Sequence, residues 1–319
     1  MKSIVVKQRN NRIVHLIRAL LISQVAVTYS SSSSLSLERS KLPKMKVDLY
    51  FVRHGETEAN RDNILQGHCD FPLTDRGIKQ CGEVGEALQA MSWAKVFSSD
   101  LPRTLRTSQI LLSKSKKYNP EGREKLSEEV RLREVNFGVK EMLPRETTFE
   151  AAVEIVALRE GIRREDVVDL TETSSELKIR QHRFLTETLY PELKSICNEA
   201  ASSTTAVPTS DPTLKGELDG IIGRESSNPK ILCVSHGGFI RRFLSNYCDL
   251  DYVLSPENDN YPGASILSSV FGIRSSKLIR LSNCSISVVT VEWAEGALED
   301  GYVCTASAEN VNIISHLTE

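Results

Sequence analysis

From Val47 onward, short apolar runs alternate with stretches in which apolar residues recur every three or four positions. Leu49-Tyr50-Phe51-Val52, ended by Arg-His-Gly, predicts a strand buried on both faces. Thr74 then caps a predicted helix in which Ile78, Cys81, Val84, Leu88 and Met91 fall at helical spacing. Lys95-Val96-Phe97-Ser98 predicts a second strand. Ser99-Asp100-Leu101-Pro102 follows it as a helix start with a capping oxygen and an early proline. A long helical stretch carries Leu177, Phe184, Leu189 and Leu193 to about Cys197. Ile231 to Val234 reads as another buried strand, with Gly237-Gly238 opening a helix after it. Ile286 to Val291 reads as a late strand, with Tyr302-Val303-Cys304 as its partner. This grammar predicts an α/β fold over residues 46–319: a mostly parallel, twisted sheet between two helical layers, α/β/α. The Ser/Thr/Pro-rich piece at about 200–229 breaks the pattern and predicts a mobile insert.

Composition adds one division. Of the 319 residues 40% are hydrophobic and 26% charged, an ordinary globular balance, and the net charge of −2 gives no reason to expect nucleic acid as a partner. The first 44 residues differ: eight Lys/Arg against the single acid Glu38, with an unbroken serine run from Ser30 to Ser34. Residues 1–45 are therefore expected to lie outside the fold. They read either as a mitochondrial transit peptide or as a tail upstream of a start at Met45, which would leave the protein in the cytoplasm. The longest apolar run there, Ala19 to Ile22, is too short for a bilayer, so no membrane association is expected. Seven cysteines without a C-x-x-C pair point to reduced thiols, and neither a metal nor a cofactor is expected.

The candidate chemistry sits at two strand ends. Val52-Arg53-His54-Gly55 and Val234-Ser235-His236-Gly237 each place a histidine beyond a buried strand, where open α/β sheets bind ligands. One histidine so placed is usually a hydrogen-bonded structural residue; two in the same setting are a pattern. Glycine beside each is expected to let a bulky anion approach. Arg53 and Arg103 add permanent cations, Arg103 in the first turn of a helix whose free N–H groups also favour an anion. Such a set is suited to a phosphoryl group.

The text Phe51-Val52-Arg53-His54-Gly55-Glu56-Thr57, with Asn60 and Gln66-Gly67 after it, resembles the signature of the histidine phosphatase (phosphoglycerate mutase-like) superfamily. So do Phe97 to Thr104, Leu132-Arg133-Glu134 and Val234 to Gly238, in the same order. Within that superfamily the chain is most similar to the TIGAR-type fructose-2,6-bisphosphatases. The resemblance implies catalysis by His54, Arg53, Arg103, Glu134 and His236, with His54 as nucleophile and Glu134 as proton donor. It implies substrate contacts from Asn60, Gln66, Gly67 and Gly237. Two departures stand out. Val135 replaces an arginine that mutases use for a second acid group, and Leu170-Thr171-Glu172-Thr173 replaces a Gly-Gly-Glu-[Ser/Thr] turn. Only Lys140 offers a cation between Asn136 and Leu143, and Glu172 is expected to repel a carboxylate. His68 and Cys69 read as structural or solvent-facing.

These readings imply a phosphatase acting through phosphohistidine on a small phosphorylated metabolite, such as fructose 2,6-bisphosphate, and regulating glycolysis. The alternatives are a cofactor-dependent phosphoglycerate mutase, a phosphoprotein phosphatase, or a non-catalytic binding relative.

Overall fold

A computed structural model of the chain describes residues 44–122, 125–202, 226–248, 281–294, 305–314 and 317. The leader, apart from its last two residues, and Tyr302 to Cys304 lie outside these residues, as does most of the expected insert.

Six strands form one sheet in the order β3-β2-β4-β1-β5-β6. They are β1 (Lys44–Arg53), β2 (Lys95–Ser98), β3 (Leu126–Glu128), β4 (Lys230–Ser235), β5 (Ile286–Ala294) and β6 (Thr305–Ile313). β1 to β4 run parallel, and β5 and β6 close one edge antiparallel. The sheet is mostly parallel, as expected.

The central strands have apolar residues on both faces because helices cover both. Val47, Leu49 and Phe51 of β1 pack with Leu177, Phe184, Phe239 and Phe243 on one face. Tyr50 and Val52 pack with Cys81, Val84, Leu111 and Leu112 on the other. The first layer contains α5 (Ser174–Arg183), a π-helical segment Phe184–Leu189, α6 (Tyr190–Ser202) and α7 (Gly237–Tyr247). The second contains α2 (Asp75–Ala87) and α3 (Pro102–Ser113). Two further helices are α1 (Glu58–Arg61), which follows β1, and α4 (Phe149–Glu160), whose Ala152, Val153 and Val156 pack with Val139 in a separate small cluster.

Several boundaries differ from expectation. β1 begins at Lys44, and Met45 pairs with Trp293, so the last two residues assigned to the leader belong to the sheet. α6 continues to Ser202, and Asn228 donates to Asp48, so both flanks of the expected insert are tied to the fold. Thr74 caps α2 by accepting from the Gly77 N–H, but Ile78 is exposed and Met91 lies beyond the helix. Leu101 is the N-cap of α3 and offers no side-chain cap; Pro102 sits at the first helical position. The Ser99 hydroxyl, freed from capping, is used elsewhere.

Candidate active site

Because β1 and β4 are adjacent and in register at Arg53 and Ser235, the histidines that follow them stand side by side. The His54 N–H donates to the Ser235 carbonyl at 3.0 Å, and the two imidazole centroids are 5.2 Å apart.

The His54 ring is oriented by its own turn. Its Nδ1 lies 2.8 Å from the Gly55 carbonyl. A carbonyl only accepts, so Nδ1 carries the hydrogen and Nε2 keeps its lone pair. Burial, then the charges of Arg103 and Arg53, push the His54 pKa well below 6.5, although the Gly55 bond opposes them. The imidazole is therefore neutral and nucleophilic at physiological pH. His236 is likewise buried and shifted well below 6.5, first by burial and then by Arg103. Its Nε2 lies 2.9 Å from the Ser99 hydroxyl, which also accepts from the Leu101 N–H. When the Ser99 hydroxyl gives its hydrogen to this Nε2, Nδ1 carries the ring hydrogen and is a donor.

Both shifts have a consequence for stability. The unfolded chain protonates these histidines near 6.5, whereas the folded chain resists protonation, so between 6.5 and the lower folded values the unfolded state binds more protons. Stability is expected to be level above pH 6.5 in this respect and to fall as the pH drops below it. Melting temperatures from pH 8 to 5 test this: His54→Asn and His236→Asn should each flatten the acid-side decline, and an unchanged decline would contradict it.

Arg53 and Arg103 lie beside the imidazoles. Arg103 occupies the first turn of α3 and donates to the carbonyls of Gly67 at 2.7 Å and Cys69 at 2.8 Å. Arg53 donates to the Leu281 carbonyl. Burial lowers the Arg53 pKa to about 10 despite the nearby Glu134 charge, so it stays cationic at neutral pH. Among the described residues, the buried side-chain atoms without a hydrogen-bond partner include Arg53 Nε, Arg103 Nε, His236 Nδ1, Gln66 Oε1 and Arg145 Nε. Donors on three of these residues lie near His54. Buried donors are rarely left unpaired, and this set matches the oxygens of a phosphoryl group.

Glu134 meets the same cluster from the other side. Its carboxylate accepts from the N–H groups of Val135 at 2.8 Å, Phe239 at 2.9 Å and Gly238 at 3.0 Å, the last two in the first turn of α7. A side chain at position 238 would collide with this carboxylate.

The glycines beside the histidines have a different reason from the one expected. A Cβ at Gly55 would come within 2.7 Å of the Gly77 carbonyl oxygen and of Cys81 Sγ, so this glycine admits α2 rather than a ligand. A Cβ at Gly237 would lie 3.1 Å from Arg53 Nε, so this one makes room for the guanidinium. Gly67, with φ of +53°, lies against the Glu141 carboxylate and presents its carbonyl to Arg103. The Asn60 side-chain oxygen accepts from Thr57 and from Asn283 Nδ2, which leaves its amide N–H groups as the ones available to a ligand. His68 Nε2 bonds the Glu134 carbonyl and Cys69 Sγ bonds Glu141, structural roles for both.

The altered turn is also rebuilt. Glu172 is held by two nitrogens of one guanidinium: Arg180 Nε and Nη2 each donate to its carboxylate at 2.7 Å. Its charge is paired, not presented to substrate. Thr173 caps α5. Sequence reading missed Ser99, Arg180, Asn283 and Arg145. Arg145 lies two residues past Leu143, and its charge reaches Arg53, whose pKa it helps to lower.

The profile of the histidine phosphatase superfamily (branch 1) matches residues 49–194. Fructose-2,6-bisphosphatase TIGAR B of Danio rerio is 33% identical over 198 residues, 60% of this chain and 71% of that protein. Probable phosphoglycerate mutase GpmB of Salmonella choleraesuis is 45% identical over 65 residues, 20% of this chain and 30% of that protein. Among solved structures, phosphoglycerate mutase from Bacillus anthracis aligns at 21% identity and a TM-score of 0.46, covering 86% of this chain and 96% of the other. The chain belongs to the histidine phosphatase superfamily.

Proposed function

We propose that this protein hydrolyses a small phosphate monoester through a phosphohistidine on His54, and that its substrate is a sugar bisphosphate of the fructose 2,6-bisphosphate kind. The observation that carries this reading is the set of unpartnered buried donors on Arg53, Arg103 and His236 beside a neutral imidazole whose Nε2 lone pair is free. Nε2 attacks phosphorus, and the three donors stabilise charge on the equatorial oxygens. Glu134 gives a proton to the leaving oxygen and takes one back from the water that opens the phosphohistidine. Asn60, Gln66, Gly67 and Gly237 are the substrate contacts of this reading.

Arg145 supports a second anionic group on the substrate, because it adds a cation at the Arg53 side of the site. The similarity to the Danio rerio bisphosphatase supports a sugar bisphosphate over other candidates. Arg145 and the paired Glu172 also weaken the electrostatic case against a carboxylate, so phosphoglycerate belongs in the test.

Purified protein should be assayed on a panel of phosphorylated metabolites, following both phosphate release and isomer conversion. Fastest phosphate release is expected from a sugar bisphosphate, with Arg145→Ala lowering kcat/KM for it more than for the matching monophosphate. Rapid interconversion of 3- and 2-phosphoglycerate, with little phosphate released from any bisphosphate, would overturn the reading in favour of a mutase.

A further inference from the structure

We infer that Arg180, on the face of α5 turned toward the site, is the positioning residue for Glu134. The inference rests on the proposed role of Glu134 as proton donor.

A proton donor works only if its carboxyl group is held at one place relative to the leaving oxygen. Glu134 follows a short 3₁₀ turn, Val130–Leu132, and belongs to no strand or helix. Its carboxylate is fixed by N–H groups of α7, but something must fix the backbone that carries it.

Arg180 does this from two directions. Nη1 donates to the carbonyls of Arg131 and Arg133, each at 2.8 Å, and Nη2 donates to the carbonyl of Glu134 itself at 3.2 Å. Glu172 takes the remaining donors on Nε and Nη2 and holds the guanidinium in one orientation. The guanidinium carbon also lies 5.5 Å from the ring centroid of Phe239, over its face. Phe239 is the residue whose N–H holds Glu134 Oε1. The neighbouring Gln181 donates to the Phe239 carbonyl at 3.1 Å. One side chain thus fixes both the segment bearing the carboxylate and the residue that receives it.

Lysine cannot replace this arrangement. Its single nitrogen lacks the planar fork needed to reach three carbonyls and a carboxylate together. The Glu172–Arg180 pair also gives the altered turn at 170–173 a purpose: its glycines are gone, yet the acid that orients Arg180 remains.

The test compares two esters on the full-length protein through kcat/KM, which reports formation of the phosphohistidine and not its hydrolysis, the step that both esters share. p-Nitrophenyl phosphate has a leaving group that departs without a proton, whereas an alkyl phosphate needs one. Glu134→Gln sets the reference and should slow the alkyl ester by about 10²–10⁴-fold while affecting the aryl ester far less. Arg180→Lys should show the same selectivity, with a loss of roughly 10–10² on the alkyl ester from displacement of the donor. In the Glu134→Gln background it should add little, because both changes remove one function. Glu172→Gln, which frees the guanidinium, serves as a second variant should Arg180→Lys fold poorly, and should show the same selectivity more weakly. If both esters slow by equal factors in both variants, or the losses multiply with that of Glu134→Gln, Arg180 is merely structural and the inference is overturned. If Glu134→Gln itself shows no selectivity while His54→Ala is inactive, the role of Glu134 fails and this inference with it.

Discussion

Replacing His54 with alanine is expected to abolish turnover, with a loss on the order of 10⁴–10⁶-fold as for removal of other covalent nucleophiles. The neighbouring imidazole of His236 is not free to take over. The His236 Nε2 is engaged by Ser99, and its Nδ1 serves as a donor. Rapid quenching of wild type with radiolabelled substrate should yield a protein adduct that is stable to base and labile to acid, and His54→Ala should yield none. The variant should remain folded, since the ring it removes bonds only its own Gly55 carbonyl. An undiminished adduct in His54→Ala would remove this residue from the mechanism.

Arg103→Met is expected to lower both turnover and stability. Removing one fixed donor to a transition-state oxyanion costs about 10²–10³-fold in kcat. The guanidinium is also buried and supports the carbonyls of Gly67 and Cys69, so its loss leaves two acceptors unpaired. Each buried unpaired group costs about 1–3 kcal/mol, which adds a fall in melting temperature to the kinetic defect. Arg103→Lys should retain part of the charge effect and lose the bidentate support, giving an intermediate rate. The opposing charge at Asp70, 3.5 Å away, is half-exposed and weakly coupled, so Asp70→Asn should change activity little by comparison. Equal activity in Arg103→Met and wild type would mean that the phosphate does not bind here.

Much of this was legible in the sequence, for a physical reason. β1 and β4 are buried on both faces, so Leu49 to Val52 and Ile231 to Val234 appear as continuous apolar runs. The break in each run marks the strand end, where His54 and His236 stand. Local rules placed these residues and the capped start at Thr74. What stayed hidden depends on contacts across the chain. Ser99 meets His236 over 137 positions of separation, and Arg180 reaches the Glu134 segment over 46. Neither has a local pattern to betray it. The glycines were recognised as necessary but for the wrong partner: Gly55 admits the backbone of α2 and Gly237 admits Arg53. Glu172 looked like an unpaired charge because its partner is eight residues away on the next helix. That spacing was the one available clue.

The central claim is that phosphate passes through His54 on its way to water. Two displacements at phosphorus restore the original configuration, whereas direct attack by water inverts it. The most direct measurement uses a substrate whose transferred group is a phosphorothioate made chiral with two oxygen isotopes, and hydrolyses it in water carrying the third. Retention of configuration in the released thiophosphate is the predicted result, and inversion would contradict the account.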